Sequence, residues 1–269
     1  MEINNCKEIA ITWRLEELHA VVGEFESAVM CAVNESDIKV ANDYKNFILR
    51  TVGKSIVTMK EVIILSANGY ADGALSLARN LYEQCITVAF LDLHKQDENY
   101  ANMIRNYFLD YDLQCYKNLK YIYEGSEKAD EYQQKIQEVK DNAHTSVNGT
   151  YWWAGKATFN DLFQEIQQNA GDSESEELWH RLHVFYKRAC LGLHANCFGN
   201  MNRLGTHDEF AGIDTSPQQK GHGFPLCFAV ASFSYIVAAT CLEFAIDYKI
   251  LYKEKLNDLE DFYARFLAE

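Results

Sequence analysis

Only two prolines, Pro217 and Pro225, occur in the 269 residues, and both fall late in the chain. Everything before Pro217 is therefore free of the residue that forbids a helix interior. A β-sandwich or a Rossmann domain of this length needs denser Pro and Gly punctuation. With 48% hydrophobic and 24% charged residues, the chain has apolar mass for one large core or two small ones. The expectation is an all-α, multi-helix bundle, more than about half helical and essentially without sheet.

Apolar residues at helical spacing place the elements. A first helix runs from about Lys7 to Val33, with Ile9, Trp13, Leu15, Leu18, Val22 and Phe25 inward, and a second ends near Ser66. Asn68 and Gly69 tolerate the left-handed conformation that stops it. A third helix spans about Tyr70 to His94, and a fourth, rich in tyrosine, about Glu98 to Tyr123. Ser126 caps a polar fifth helix that reaches about Asn142. A loop from His144 to Ala157 precedes a short helix from about Phe159 to Asn169. Ser173 and Glu176 form a capping box for the next helix, which carries Leu178, Leu182, Phe185, Tyr186, Ala189 and Leu193 inward. Residues 197–224 read as irregular. An uncharged helix from Leu226 to Leu242 and a last one from about Asn257 to Leu267 complete the chain. The expected organisation is an extra N-terminal helical pair (1–68) packing on a main helical domain (69–252), then a C-terminal helix (253–269), all one structural unit.

The net charge of −14 opposes nucleic acid and anionic membrane except at a local basic patch. Met1 to Lys7 is polar and opens no signal peptide, so a cytoplasmic location is expected. The eight cysteines (Cys6, Cys31, Cys85, Cys115, Cys190, Cys197, Cys227 and Cys241) contain no CxxC pair and read as reduced thiols. Gly221 to Leu242 carries no formal charge over about the length of a bilayer core. Gly221, His222, Gly223, Ser232, Ser234 and Thr240 dilute it, and Pro225 is expected to shorten its helix. Ala231, Ala238 and Ala245 suit close packing. We read it as a core helix or one shared by a homodimer, not a membrane span.

Four constellations bear on chemistry. Between Leu178 and His207 no acid occurs, while Arg181, Lys187, Arg188 and Arg203 and four histidines do. This is either a basic footprint for a phosphate backbone or a solvated face that lacks acids. Within it, Arg188 precedes His194 by six residues. A histidine near neutral pKa can move a ribose hydroxyl proton, and a guanidinium can hold the phosphate, with no metal or other cofactor. On an ideal helix the two lie about 120° apart. Arg79 and Glu83 share a face of the third helix among Leu75, Leu77, Leu81 and Ile86, as a buried bridge or as the wall of a site. Cys190, His194 and Cys197 fall at i, i+4 and i+7, a spacing zinc can use, but no fourth ligand is evident and the expectation is no metal. No phosphate-binding Gly loop, HExxH or GxSxG occurs.

The Ala78-Arg79-Asn80-Leu81-Tyr82-Glu83 helix, the Trp153-Ala154-Gly155-Lys156-Ala157-Thr158 loop and the Tyr186-to-His194 helix occur in an order that resembles the bacterial domain of unknown function 5677, over about Lys60 to Phe244. The Arg-x5-His form also resembles the signature of HEPN (higher eukaryotes and prokaryotes nucleotide-binding) domains. Those are small helical bundles, often dimeric, and many are metal-independent ribonucleases of toxin or antiviral systems. The resemblance implies a HEPN-like bundle, with Arg188 and His194 as the signature pair and Glu83 as an extra polar residue on a neighbouring helix. Where that signature often has Ser, this chain has Cys190. The expected function is a metal-independent endoribonuclease of bacterial defence. His194, Arg188, Glu83 and Arg79 would be catalytic, and Arg181, His183, Lys187 and Arg203 would bind RNA. A homodimer and an antitoxin or defence partner are the expected partners. The competing reading is a non-catalytic helical interaction or regulatory protein.

Overall fold

The computed structural model describes residues 2–35, 43–193, 204, 221–265 and 267, with backbone alone at 2–13, 35, 250 and 251. Helix accounts for 82% of it, and among the described residues there is no strand. The nine α-helices described are α1 (Glu2–Glu35), α2 (Asp43–Ala67), α3 (Ala71–Leu93), α4 (Tyr100–Ile122), α5 (Glu127–Asn142), α6 (Phe159–Gln168), α7 (Ser173–Leu193), α8 (Gly223–Glu243) and α9 (Glu254–Ala264). A 3₁₀ turn covers Trp152–Ala154, and a π-helical turn, Lys249–Lys253, leads into α9. The only β pairing described is the isolated bridge between Tyr151 and Lys156.

Contacts divide the chain into two compact units, neither a single stretch of sequence. One holds Met1–Ala41, Ile48–Val88 and Gly171–Glu269; the other holds Asn42–Phe47 and Ala89–Ala170.

The first unit is built round α8. A helix that is apolar on all sides must be covered on all sides, and α8 packs with α1, α7 and α9. Phe233 meets Phe25 of α1 edge-on at 5.9 Å, Tyr235 meets Trp179 of α7 at 5.1 Å, and Phe228 meets Tyr82 of α3 at 5.3 Å. By length and composition α8 is apolar enough to cross a membrane, and 72% of its most apolar stretch is buried inside the protein. Pro225 does not shorten it. The helix begins at Gly223, so Pro225 lies in the first turn, where amides have no intrahelical partner to lose. Ala245 lies beyond the helix end and leaves the expected small-residue face. Its φ is +55°, and the amide of Ile246 bonds back to the carbonyl of Cys241 at 2.8 Å, closing the helix.

The second unit is an aromatic core under the antiparallel pair α4 and α5. Trp153 is buried against Tyr107 at 5.1 Å and Phe90 at 6.0 Å. The loop from His144 to Ala157 is fastened throughout. Asn106, buried on α4, accepts from the His144 amide and donates to Thr145 Oγ1. The Trp152 indole donates to Asp110 at 2.6 Å. Gly155 supplies the left-handed φ of +67° that turns the chain back after the 3₁₀ turn.

Helix starts show where local chemistry competes. The Ser126 hydroxyl donates back to the Tyr123 carbonyl and does not accept from α5. At α7 the cap is Asp172, which accepts from the Ser175 amide at 2.7 Å; Ser173 is already the first helical residue. A carboxylate is a stronger acceptor than a hydroxyl, and it complements the positive helix end. A capping box does form at Thr158 and Asp161 of α6.

Candidate functional site

In the first unit, α3 and α7 turn polar stripes toward one another. Arg79, Tyr82 and Glu83 fall at i, i+3 and i+4 on α3; His183, Tyr186, Lys187 and Cys190 fall at i, i+3, i+4 and i+7 on α7. The Arg79 Nε donates to Glu83 Oε1 at 3.1 Å, with the two side chains 29% and 33% exposed. The same guanidinium carbon stands 5.5 Å from the centre of the Tyr186 ring. Burial pulls the Arg79 guanidinium down, but Cys190, Glu83 and Tyr186 together outweigh it and hold the group above its ordinary value. Burial, then Cys190, pushes the Tyr186 phenol well above its usual range. The pair is thus neither a buried bridge nor a solvated one. It is a fixed cation at the edge of a polar cluster.

Deeper in the cluster, Tyr82 Oη and His183 Nδ1 lie 3.3 Å apart, and the His183 ring stacks on Tyr186. Burial, then Lys187 and His180, pushes His183 down to about 4, so the imidazole is neutral near pH 7. His183 was expected on an RNA-binding face; it is buried at 6% exposure with Tyr82.

Among the described residues, the rest of the basic island disperses. Arg181 binds Glu260 of α9 at 2.6 Å. Burial raises the Glu260 carboxyl, and Arg181 pulls it back. For Arg181, the acid missing from this stretch of sequence is thus supplied by α9. Lys187 is exposed. Arg188 is exposed, with its guanidinium carbon 4.7 Å from the centre of the Phe224 ring. Two residues beyond Tyr186 on a helix is about 200° round the axis, so Arg188 belongs to a different side of α7 from the Arg79 cluster. His194, Arg203 and Cys197 lie outside the described residues; α7 is described to Leu193, the residue before His194. The six cysteines whose side chains are described carry no disulfide, and burial pushes the thiols of Cys227 and Cys241 up to about 12, the behaviour of inert core groups.

Tyr82, Tyr186 and Glu260 join the expected site residues only in the structure. Tyr82 and Tyr186 each sit three residues after a named residue, Arg79 and His183, and that interval is the signal in the sequence. Nothing in the sequence links Arg181 to Glu260.

The second unit holds its own polar cluster. His94 Nδ1 lies 2.5 Å from Asp97, its Nε2 lies 3.1 Å from Glu165, and Glu165 pairs with Lys156. Lys156 and Glu165 line an open pocket of about 480 Å³ together with Gly155, Asp161, Gln164 and Gln168.

The fold and this arrangement define an all-helical protein with a charged pair set into a helix–helix contact. The chain belongs to the family of unknown function DUF5677, whose model matches residues 45–211. The match takes in the Arg79–Glu83 helix, the Trp153–Thr158 loop and the Tyr186–His194 stretch, and it stops short of α8. No curated protein and no solved structure matches the chain.

Proposed function

We propose that this protein is a HEPN-like, metal-independent endoribonuclease of a bacterial toxin or antiviral defence system. The observation that carries the reading is the half-exposed Arg79–Glu83 pair, set against Tyr186 and Cys190 on the helix that leads into His194. A guanidinium anchored at Nε and kept partly from water suits a phosphate whose charge grows during reaction. In the proposed step His194 removes the proton from a ribose 2′-hydroxyl, and the oxygen forms a bond to the adjacent phosphorus. The bond from phosphorus to the 5′ oxygen breaks, and that oxygen takes a proton from the imidazolium. The products are a 2′,3′-cyclic phosphate and a 5′-hydroxyl. Arg79 and Arg188 are the two arginines available to hold the phosphate, and Lys187 and Arg203 would bind flanking phosphates. A homodimer would let two copies share the site, and an antitoxin or defence protein would control it in the cytoplasm.

The Arg181–Glu260 pair and the placing of Arg188 over Phe224 favour a second reading, a non-catalytic interaction protein whose charges serve packing. Incubation of a labelled single-stranded RNA with wild type and His194→Ala, in the presence of EDTA, decides between them. The ribonuclease reading expects cleavage to a cyclic phosphate by wild type and none by the variant. Equal turnover by both, or none by either, leaves the packing reading.

A further inference from the structure

We infer that Arg79, rather than Arg188, is the residue that holds the scissile phosphate; this rests on the ribonuclease reading above. A guanidinium that stabilises a phosphorane must be fixed in direction, partly removed from bulk water and still reachable. Arg79 meets all three conditions. Its Nε–H donates a hydrogen bond to Glu83 Oε1, which pins the plane of the fork at one edge. Tyr186 faces the guanidinium at 5.5 Å, and the electron-rich π face of its ring attracts the positive charge. The side chain remains 29% exposed. The ηN–H groups at the far edge of the fork form the pair of parallel donors that matches two phosphate oxygens.

Arg188 meets fewer of these conditions. It is exposed, its guanidinium lies over Phe224, and helix geometry sets it about 160° round α7 from Cys190. Tyr186 of α7 faces Arg79, and Cys190, one turn further along α7, also acts on it; in sequence Cys190 stands four residues before His194. Lys187 adds a second cation on the Arg79 side, one residue from Tyr186. The recognised ligand is thus an RNA phosphodiester gripped from α3, with α7 supplying the aromatic support and the neighbouring charge.

The test uses the full chain and one fluorescein-labelled single-stranded RNA for cleavage, with its all-2′-deoxy counterpart for binding by anisotropy. Arg79→Lys keeps the charge and the Glu83 pairing but removes the fork. Its cleavage is expected to fall on the order of a hundredfold, and to lose at least about tenfold more than Arg188→Ala, while affinity for the deoxy strand changes by less than about fivefold. The exchanged pair Arg79→Glu with Glu83→Arg guards against a folding effect. If Arg79 served only as a helix bridge, the exchange would restore both melting temperature and cleavage; the inference expects the melting temperature to return and cleavage to stay lost. Wild-type cleavage by Arg79→Lys, or rescue by the exchanged pair, overturns the inference while His194→Ala remains inactive. A His194→Ala variant as active as wild type overturns the ribonuclease reading itself, and this inference with it.

Discussion

The Trp153–Thr158 loop and the Arg79–Glu83 turn of α3 both lie in the matched family region, and both place charged residues beside aromatic ones. In and beside the loop the polar groups hold the loop. The Trp152 indole is bound by Asp110, Lys156 by Glu165, and Thr158 exchanges hydrogen bonds with Asp161. An irregular segment of this length has backbone and side-chain groups that need such ties. The α3 turn has no such need. Its backbone is satisfied by the helix, and Leu75, Ala78, Leu81 and Ile86 already bury the helix in its unit. A charged pair held there at about one-third exposure adds little that an apolar pair would not. The difference separates a motif required by a loop from one that folding leaves unexplained, and function is sought in the second.

The largest expected effect sharpens the structural side. Trp153→Ala removes a buried ring from between Tyr107 and Phe90 and should cost about 3–5 kcal/mol in urea denaturation followed by circular dichroism. A loss below about 1 kcal/mol would mean that the loop is not a clasp.

The next effect concerns the α3–α7 side. His183 titrates at about 4 in the folded protein because of burial, against an ordinary value of about 6.5. Between those values the unfolded chain binds a proton that the folded chain refuses. Stability should therefore fall as pH drops from about 6.5 to about 4, and this contribution should level off below that. His183→Gln, which does not titrate, should flatten the slope in that window. Parallel stability–pH curves for the two proteins would show that His183 is not the group held neutral.

The smallest effect is the one that can break the comparison. Lys156→Ala loses a half-buried ion pair and should change stability by no more than about 1 kcal/mol. Cleavage per folded molecule should match wild type. A tenfold loss of cleavage at unchanged melting temperature would move the functional role to the loop and its pocket.

The helices themselves were legible in the sequence because their signals are local. The expected span from about Tyr70 to His94 is observed as Ala71–Leu93, and Gly69, with φ of +83°, ends α2 as its composition implies. The sequence signal is ambiguous where two local chemistries compete for one turn. Ser126 had both a preceding carbonyl and a following amide in reach, and it took the carbonyl. Asp172 displaced Ser173 as a cap by offering a full negative charge to the helix end.

For the candidate site, the sequence alone determined which side chains share a helix face, since about 100° of rotation per residue relates Arg79 to Glu83 and His183 to Tyr186 and Cys190 without any tertiary information. Only the tertiary structure decided what those faces meet. Tyr82 and His183 are 101 residues apart, and Arg181 and Glu260 are 79 apart. Spacing along one helix carries no record of the helix that packs against it. That choice is made by the burial of large apolar faces such as α8, which is non-directional and summed over many residues. The charges then take whatever partners the packing brings within reach, and so Arg79 came to lie beside Tyr186 and Arg188 over Phe224.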